Sequence, residues 1–341
     1  MQAIRVHPSQ PPSPPYSPSN HAPSSALHKD TIPIPRPTKQ SEILVRIKAT
    51  TIVRDMLTWP ETYAHPYAIL GHDFAGTVTE VFSDSSAFKP GDEVFGMAHA
   101  DRGSTWAEYA LVLESEAALK PANLGWLEAA ALPLSAMTAY EALFEHAGLQ
   151  LPASLRKNAS APKETVQEEK KTVLVTGAAG GVGMYLVQLA ASAGAHVIAA
   201  TSSNARNEEF LRGLGANQTV EYGALSTFPA KFDIIIDTVG GELLARCWEY
   251  IKRDGALVSV DSASFNFVEE HRKRGNLVEG VKALFFIIRG SSEALRGLAA
   301  LADVGALRSF VAQSFAIDEA RKAYDFASGR FEGRGKVVLT V

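Results

Sequence analysis

A glycine-rich turn between two apolar segments is the first place where this sequence could do chemistry. In VLVTGAAGGVGMYLVQLA, the glycines follow a β-branched apolar run and precede apolar residues at helical spacing. Glycine at a strand-to-helix turn lets the backbone approach a pyrophosphate, and the helix N-terminus adds N–H donors. The alternative is a tight turn that binds nothing. We predict a dinucleotide site formed by Gly177, Ala178, Gly180, Gly181, Val182 and Gly183.

The residues after the next apolar strand indicate which cofactor is bound. About twenty residues beyond the glycine turn, an NAD-selective fold carries an acidic residue for the ribose 2′-hydroxyl. This sequence has the polar run TSSN at 201–204 instead, followed by Arg206. Arginine donates paired, charge-assisted hydrogen bonds to phosphate, so the pattern favours a 2′-phosphate and predicts NADPH. The alternative for Arg206 is a solvated side chain paired with Glu209.

The triplet Gly-His-acid at 71–73 is a common part of zinc sites, which raises the question of a metal at His72. A catalytic zinc needs three protein ligands and an open position, and Cys247 is the only cysteine of the chain. Asp55 is a possible third ligand beside His72 and Asp73, but His72 and Asp73 are neighbours on a predicted strand and should point to opposite faces. We therefore expect no bound metal.

Composition narrows the class of protein. A length of 341 residues suits two domains, and 46% apolar with 21% charged residues is typical of a soluble globular protein. A net charge of -4 predicts neither nucleic acid nor a membrane surface as a partner. A single cysteine suits a reducing compartment, and no signal peptide or membrane span is apparent. We expect a cytoplasmic protein that acts on a small-molecule substrate.

The first third of the chain has the pattern of short β-strands. QAIRV at the start, EILVRIKATTI (Glu42–Ile52), DFAGTVTEVF and EVFGM all combine alternation with β-branched residues. Ten of the eighteen prolines lie within residues 8–37, and we predict a long surface loop there.

Helices enter the pattern after residue 126. LEAAALPLSAMTAYEALFEHAG predicts two helices separated at Pro133, and the polar residues 150–171 predict a mobile surface insertion. Beyond it, apolar strands alternate with helices, among them the helix LLARCWEYIKRDG and the buried strand KALFFIIRG. This alternation predicts an α/β fold with a parallel, doubly wound sheet.

Six stretches together carry a family resemblance: GHDFAGTV, KPGDEVFGM, AALPLSAMTAYEAL, VTGAAGGVG, DTVGG and GRGKVVLTV. With them the chain resembles the medium-chain dehydrogenase/reductase superfamily, in its zinc-free, quinone-oxidoreductase-like branch. The resemblance implies a GroES-like β domain made of residues 1–124 and 290–341. A Rossmann domain of residues 125–289 is inserted in it, and nicotinamide and substrate meet in the cleft between the two domains.

The resemblance also implies the cofactor contacts. Near the nicotinamide it places Met137, Thr138, Thr238, Val239 and Gly240. Around the adenosine 2′-phosphate it places Ser202, Arg206 and Tyr222, beside Ser203 of the polar run. For Tyr222 the alternative is an aromatic side chain that packs on the sheet. Zinc-dependent relatives carry a cysteine in the segment that here reads ATTIVRDMLTWPETY, where none is present.

The implied activity is metal-free hydride transfer from NADPH to a quinone or an α,β-unsaturated carbonyl compound, whose conjugation delocalises the resulting charge. Tyr63, Asp55 and His72 are the candidates for catalysis, with Tyr63 as a proton donor. The alternatives are an aromatic lining of the pocket for Tyr63 and a hydrogen-bonded histidine beneath it for His72. Val53 and Asp55 stand where the branch usually has an Asn and an Asp.

Two other functions stay open at this point. One is a carbonyl or alcohol dehydrogenase, which the missing zinc ligands disfavour. The other is an NADPH-binding protein that senses or scaffolds without catalysis.

In the family, the region around Phe285, Phe286 and Ile287 covers the substrate or forms a subunit contact, and core packing is the alternative. We expect a homodimer.

Overall fold

The structure is a computed structural model that describes residues 1–152 and 170–341. The insertion predicted at 150–171 therefore lies, apart from its ends, outside the described residues. The chain forms two compact units, one made of Met1–Leu134 and Arg289–Val341 and the other of Ser135–Ile288. Each unit has its own sheet and its own apolar core.

The β-strands, in chain order, are β1 (Gln2–Val6), β2 (Leu27–Thr31), β3 (Glu42–Ile52), β4 (Asp73–Val81), β5 (Glu93–Met97), β6 (Tyr109–Leu113), β7 (Ala117–Leu119), β8 (Thr172–Val175), β9 (His196–Thr201), β10 (Gln218–Glu221), β11 (Phe232–Asp237), β12 (Ile251–Ser259), β13 (Lys282–Phe285), β14 (Val311–Ala316) and β15 (Lys336–Thr340). The α-helices are α1 (Trp126–Ala130), α2 (Pro133–Tyr140), α3 (Gly183–Ser192), α4 (Asn204–Gly213), α5 (Gly241–Tyr250), α6 (Phe267–Lys273), α7 (Ser292–Asp303) and α8 (Ala320–Ser328). Short 3-10 helices span Ser24–Ala26, Met56–Thr58, Pro60–Tyr63, Glu114–Glu116, Tyr222–Thr227, Ser262–Ser264 and Ile317–Glu319, and a π-helical turn spans Glu141–His146.

The first unit is built on a seven-stranded sheet in the order β14-β15-β3-β4-β5-β7, with β6 also paired to β3. β3 is its longest strand, as EILVRIKATTI predicts, because its β-branched residues fit a pleated surface. Ile43, Val45 and Ile47 alternate along β3, so they share one face and lie together in a buried core. The predicted β-rich fold of this part of the chain is confirmed.

The proline-rich segment departs from the prediction of a long loop. Its residues 24–32 contain no proline, and here the chain forms β2, which pairs antiparallel with β1. A strand is possible because the missing N–H groups of the ten prolines all fall outside this window. The prediction was wrong for residues 27–31.

The second unit contains a six-stranded sheet in the order β10-β9-β8-β11-β12-β13, in which every neighbouring pair is parallel. Continuous apolar strands such as β11 are buried, as expected where helices pack on a parallel sheet. The predicted doubly wound α/β sheet is confirmed. In such sheets, ligands bind at the carboxyl ends of the strands.

Two details of this unit were predicted incorrectly. KALFFIIRG was expected to form a buried strand, but β13 pairs only with β12 in the described sheet, and its side chains are exposed or half-buried. LLARCWEYIKRDG was expected to be helical throughout, yet α5 ends at Tyr250 and β12 starts at Ile251. In the part of the chain that the structure describes, no helix is long and apolar enough to cross a membrane.

Candidate cofactor and active site

The glycine turn joins β8 to α3 at the carboxyl edge of the parallel sheet. Gly177 has a φ of +61°, and a Cβ added there would lie 2.1 Å from Thr238 Oγ1. A Cβ added to Gly183 would lie 2.2 Å from the Gly177 carbonyl oxygen. Side chains are excluded at both positions, so the turn has the close backbone packing that a dinucleotide cradle requires. Within it, Ala178 is buried, Gly181 and Val182 are half-buried, and Gly180 is exposed.

Asp237, at the end of β11, fixes this turn to its neighbours, and sequence reasoning did not identify it. Its Oδ1 accepts a hydrogen bond from Thr176 Oγ1 at 2.6 Å. Its Oδ2 accepts one from the Gly240 amide at 2.9 Å and another from Ser259 Oγ at 3.1 Å. Burial raises the pKa of the Asp237 carboxyl above its ordinary value, while these hydrogen bonds act in the opposite direction. An acidic residue closing the apolar strand FDIIID was the available signal.

The DTVGG stretch forms a second turn beside the glycine turn. Thr238 Oγ1 donates to the Thr176 carbonyl at 2.9 Å, which couples the two turns. Gly240 has a φ of +73°, and an added Cβ would lie 2.1 Å from Asp261 Oδ2. Val239 is exposed to 42% of its surface, which is high for a valine next to a buried strand. This second turn therefore presents an apolar side chain at the carboxyl edge of the sheet.

The polar run after β9 lies at the same edge of the sheet. Ser202 and Arg206 are exposed and Ser203 is half-buried. The Tyr222 hydroxyl accepts a hydrogen bond from the Gly177 amide at 3.2 Å, and burial raises its pKa. The structure therefore brings Tyr222 to the glycine turn.

Glu221 is a second residue that sequence reasoning missed. It ends β10, whose register pairs it with Thr201 of β9, and its Oε1 accepts a hydrogen bond from the Asn204 amide at 2.8 Å. Asn204 is the first residue of α4. A carboxylate therefore occupies the start of α4, although residues 202–207, directly after β9, contain no acid.

Met137 and Thr138 lie on α2 and are both buried, with 1% and 8% of their surface exposed. α2 begins at Pro133, and its Leu134 amide donates to Asp73 Oδ1 at 2.6 Å. A carboxylate that accepts an N–H of the first helical turn stabilises a helix start. Asp73 thus has a structural partner at the start of the helix that carries Met137 and Thr138.

Tyr63 ends the 3-10 helix Pro60–Tyr63 in the first unit. Its hydroxyl donates a short hydrogen bond to the Leu57 carbonyl and accepts one from the Ala22 amide at 2.9 Å. Burial raises the pKa of Tyr63. These contacts tie the proline-rich segment to residues 57–63.

Asp55 and His72 lie in different surroundings. Asp55 is exposed, with Oδ2 3.7 Å from Arg54 Nε. His72 is buried, and its Nδ1 lies 3.2 Å from the Ala98 carbonyl oxygen, to which it donates. Burial lowers the pKa of His72, so the imidazole is neutral near pH 7. The contacts of Tyr63, Asp55 and His72 thus involve three separate sets of partners.

The donor set around His72 does not fit a zinc ion. Both Asp73 oxygens are engaged: Oδ1 with Leu134, and Oδ2 with the Thr51 hydroxyl at 2.5 Å and Lys336 Nζ at 3.7 Å. Cys247 lies in α5 of the other unit, where its thiol donates to the Leu243 carbonyl. Across residues 1–152 and 170–341, no group of three or more His, Cys, Asp or Glu side chains is arranged to hold a metal.

The sequence matches two known families over separate ranges. Residues 39–122 match the family described as alcohol dehydrogenase GroES-like domain, and residues 214–339 match the family described as zinc-binding dehydrogenase. The chain is 33% identical over 332 residues to a probable zinc-binding oxidoreductase, mitochondrial, of Arthroderma benhamiae, with 94% of both chains covered.

Two further proteins extend this similarity. The NAD(P)H oxidoreductase RTN4IP1, mitochondrial, of Danio rerio is 30% identical over 317 residues, covering 84% of this chain and 76% of the relative. The structure of the quinone oxidoreductase from Coxiella burnetii superposes with a TM-score of 0.81 at 26% identity, covering 100% of this chain and 99% of that one. This chain is therefore an oxidoreductase that belongs to the quinone-oxidoreductase-like branch of the medium-chain dehydrogenase/reductase superfamily.

Proposed function

We propose that the protein transfers hydride from NADPH to a quinone or an α,β-unsaturated carbonyl compound without a metal ion. The observation that carries this proposal is the glycine turn, where added Cβ atoms at Gly177 and Gly183 would meet other atoms at 2.1 and 2.2 Å. Such close packing is typical of the glycine turn at which the backbone of this fold meets a pyrophosphate. The names of the relatives, NAD(P)H oxidoreductase and quinone oxidoreductase, support the same reaction class.

We propose that NADPH lies along the carboxyl edge of the parallel sheet. The pyrophosphate would be held by residues 177–183 and the N-terminus of α3. The 2′-phosphate would be held by Ser202, Ser203, Arg206 and Tyr222. The nicotinamide end would be held by Met137, Thr138, Thr238, Val239 and Gly240. When bound, the cofactor supplies the hydride, and these residues orient it and exclude water.

The hydrogen bonds of Asp73 and His72 support the proposed acceptor class. With both carboxylate oxygens of Asp73 hydrogen-bonded and His72 Nδ1 bound to Ala98, the first unit offers no carbonyl-polarising metal site of its own residues. Quinones and enones need such polarisation least, because their conjugation spreads the negative charge onto oxygen. A simple ketone or aldehyde is the less favoured acceptor.

Protonation of the reduced acceptor is proposed to use water or one of Tyr63, Asp55 and His72. Tyr63 donates its proton to the Leu57 carbonyl in this structure, so donation to a substrate requires that hydrogen bond to exchange. His72 keeps Nδ1–H on Ala98 and therefore has Nε2 as the nitrogen that accepts.

Oxidation of NADPH, followed at 340 nm with a panel of quinones, enones, enals and simple ketones, tests the proposal. Turnover of quinones or enones that survives a strong chelator supports it. Turnover restricted to simple ketones would favour a carbonyl or alcohol dehydrogenase, and loss of activity with the chelator would overturn the metal-free reaction. The cytoplasmic location also stays a prediction, which fractionation of the source cells tests, since two of the relatives are named mitochondrial.

A further inference from the structure

Glu221 lies where the two nicotinamide cofactors differ. The carboxyl end of β9 is the position at which this fold meets the adenosine ribose, and β10 runs beside it in parallel register. That register sets Glu221 against Thr201, and the carboxylate turns to the start of α4 to bind the Asn204 amide at 2.8 Å. An acid is thus supplied by the neighbouring strand instead of by β9.

A 2′-phosphate and the Glu221 carboxylate would compete for the same hydrogen-bond donors at the start of α4. Both are anions, and both are attracted by the backbone N–H groups and the positive potential at the start of α4. Glu221 already accepts the hydrogen bond of the Asn204 N–H. A phosphate at this helix start is therefore bound less strongly by that amide and is repelled by the Glu221 charge. A ribose 2′-hydroxyl carries no charge and donates a hydrogen bond that a carboxylate accepts.

Two buried asparagine oxygens lie at the start of α4, on the same side as Glu221. Asn207 is 6% exposed, and its amide nitrogen donates to the Thr201 hydroxyl, the register partner of Glu221. Its Oδ1 is buried and has no hydrogen-bond partner within the described part of the chain, and the same holds for Asn204 Oδ1. A buried acceptor without a partner is costly, so a hydroxyl that reached either oxygen would satisfy it, whereas a phosphate oxygen would not.

We infer that Glu221 is a specificity-determining residue that weakens the preference for NADPH and keeps NADH usable at the same site. Arg206 with the serines favours the 2′-phosphate, and Glu221 at the start of α4 favours the 2′-hydroxyl. This inference rests on the proposed cofactor site. The direction in which a Glu221 substitution changes the ratio of NADP⁺ to NAD⁺ affinity does not depend on which cofactor the wild-type protein prefers.

The test is the dissociation constant of NADP⁺ and of NAD⁺, measured by isothermal titration calorimetry without any acceptor. Glu221→Gln keeps an oxygen for the Asn204 amide and removes the charge. We expect it to bind NADP⁺ about fivefold more tightly and NAD⁺ about twofold more weakly, so that the affinity ratio changes about tenfold, or about 1.4 kcal/mol. Glu221→Lys should move the ratio further in the same direction.

Glu208→Gln is the matched control, because Glu208 lies on α4, the helix that Glu221 contacts, but pairs with Arg212. It should leave the ratio unchanged. High salt should reduce the effect of Glu221→Gln, since the interaction is between charges near the surface. An unchanged ratio in both Glu221 variants, or an equal change for the two cofactors, would overturn the inference. If the wild-type protein prefers NAD⁺ and E221Q still raises the ratio of NADP⁺ to NAD⁺ affinity as expected, only the proposal of NADPH as the cofactor is overturned.

Discussion

Asp237 accepts a hydrogen bond from the Thr176 hydroxyl at 2.6 Å, across the adjacent strands β11 and β8. The same carboxylate holds the Gly240 amide and the Ser259 hydroxyl. One fully buried side chain therefore sets the relative position of the two turns assigned to the cofactor.

We expect Asp237→Asn to weaken both stability and cofactor binding. An amide nitrogen in place of one oxygen would face groups that donate, which leaves a buried donor unsatisfied at a cost of about 1–3 kcal/mol. Urea unfolding and NADP⁺ titration measure the two effects. Glu249→Gln, on the exposed face of α5, is the control and should change neither.

Gly183→Ala should impair cofactor binding through the turn itself. The new Cβ would lie 2.2 Å from the Gly177 carbonyl oxygen and 2.7 Å from Ala178 Cα, so the backbone must move. We expect NADP⁺ affinity to fall at least about tenfold. Gly213→Ala is the matched control, because its Cβ meets nothing within 4 Å and it ends α4, where alanine favours the helix. Equal affinity in the two variants would contradict the assigned cradle.

Tyr63→Phe separates anchoring from proton donation. Removal of the hydroxyl breaks the contacts with Leu57 and Ala22, so we expect a loss of about 1–2 kcal/mol in the free energy of unfolding. If anchoring is its main role, kcat should fall only a few-fold, whereas a loss of about 100-fold or more with an unchanged KM would assign Tyr63 as the proton donor. Tyr67→Phe, at an exposed position, is the control.

His72 should make stability depend on pH. Because burial lowers its pKa in the folded state below the ordinary value of 6.5, the unfolded chain binds more protons, and folding is favoured at higher pH. The contribution of neutral His72 to the free energy of unfolding is fully present above pH 6.5. It is lost as the pH falls toward the folded-state pKa, by at most about 1.4 kcal/mol per pH unit. Urea unfolding between pH 5 and 8 measures this slope.

His72→Gln should reduce that slope, whatever its effect on stability at pH 8. The pKa values of His28 and His271 are lowered as well, mainly by burial, so part of the slope should remain. A slope identical to that of the wild-type protein would show that His72 does not titrate in this way.

The homodimer also stays a prediction. β13 is an edge strand, and Ile287, two residues beyond it, is 62% exposed, an arrangement that suits pairing with another chain. Sedimentation velocity should give a dimer for the wild-type protein and a shift toward monomer for Ile287→Lys. Val304→Lys, at a 76% exposed position of the other unit, should leave the sedimentation unchanged.

Local patterns were sufficient for much of the fold. β3 was predicted from its own alternation and the break at Pro133 from the ring of that residue, because both depend on neighbours in the chain. β2 was missed because a count of prolines hid the proline-free residues 24–32. β13 was predicted as buried because its apolar sequence does not reveal that it lies at the edge of the sheet.

For the candidate site as well, contiguous residues could be predicted from the sequence, and residues that depend on distant partners could not. The glycine turn was recognisable because its residues are contiguous, and the structure gives close packing at Gly177 and Gly183. Glu221 contacts Asn204 just beyond the adjacent strand β9, and Asp237 contacts Thr176 just beyond the adjacent strand β8. Such partners follow only from strand order and register. The engagement of the Tyr63 hydroxyl by Ala22 depends on a contact across 41 positions of sequence, which no local pattern contains.

Cys247 has a consequence for an enzyme of this proposed chemistry. Quinones and enones are electrophiles that alkylate thiolates by conjugate addition, so an accessible cysteine would expose the enzyme to inactivation by its own substrates. The only cysteine of this chain is fully buried in α5, and burial raises its pKa well above the ordinary value, which leaves almost no thiolate. The protein therefore presents no accessible thiol to the class of molecules it is proposed to reduce.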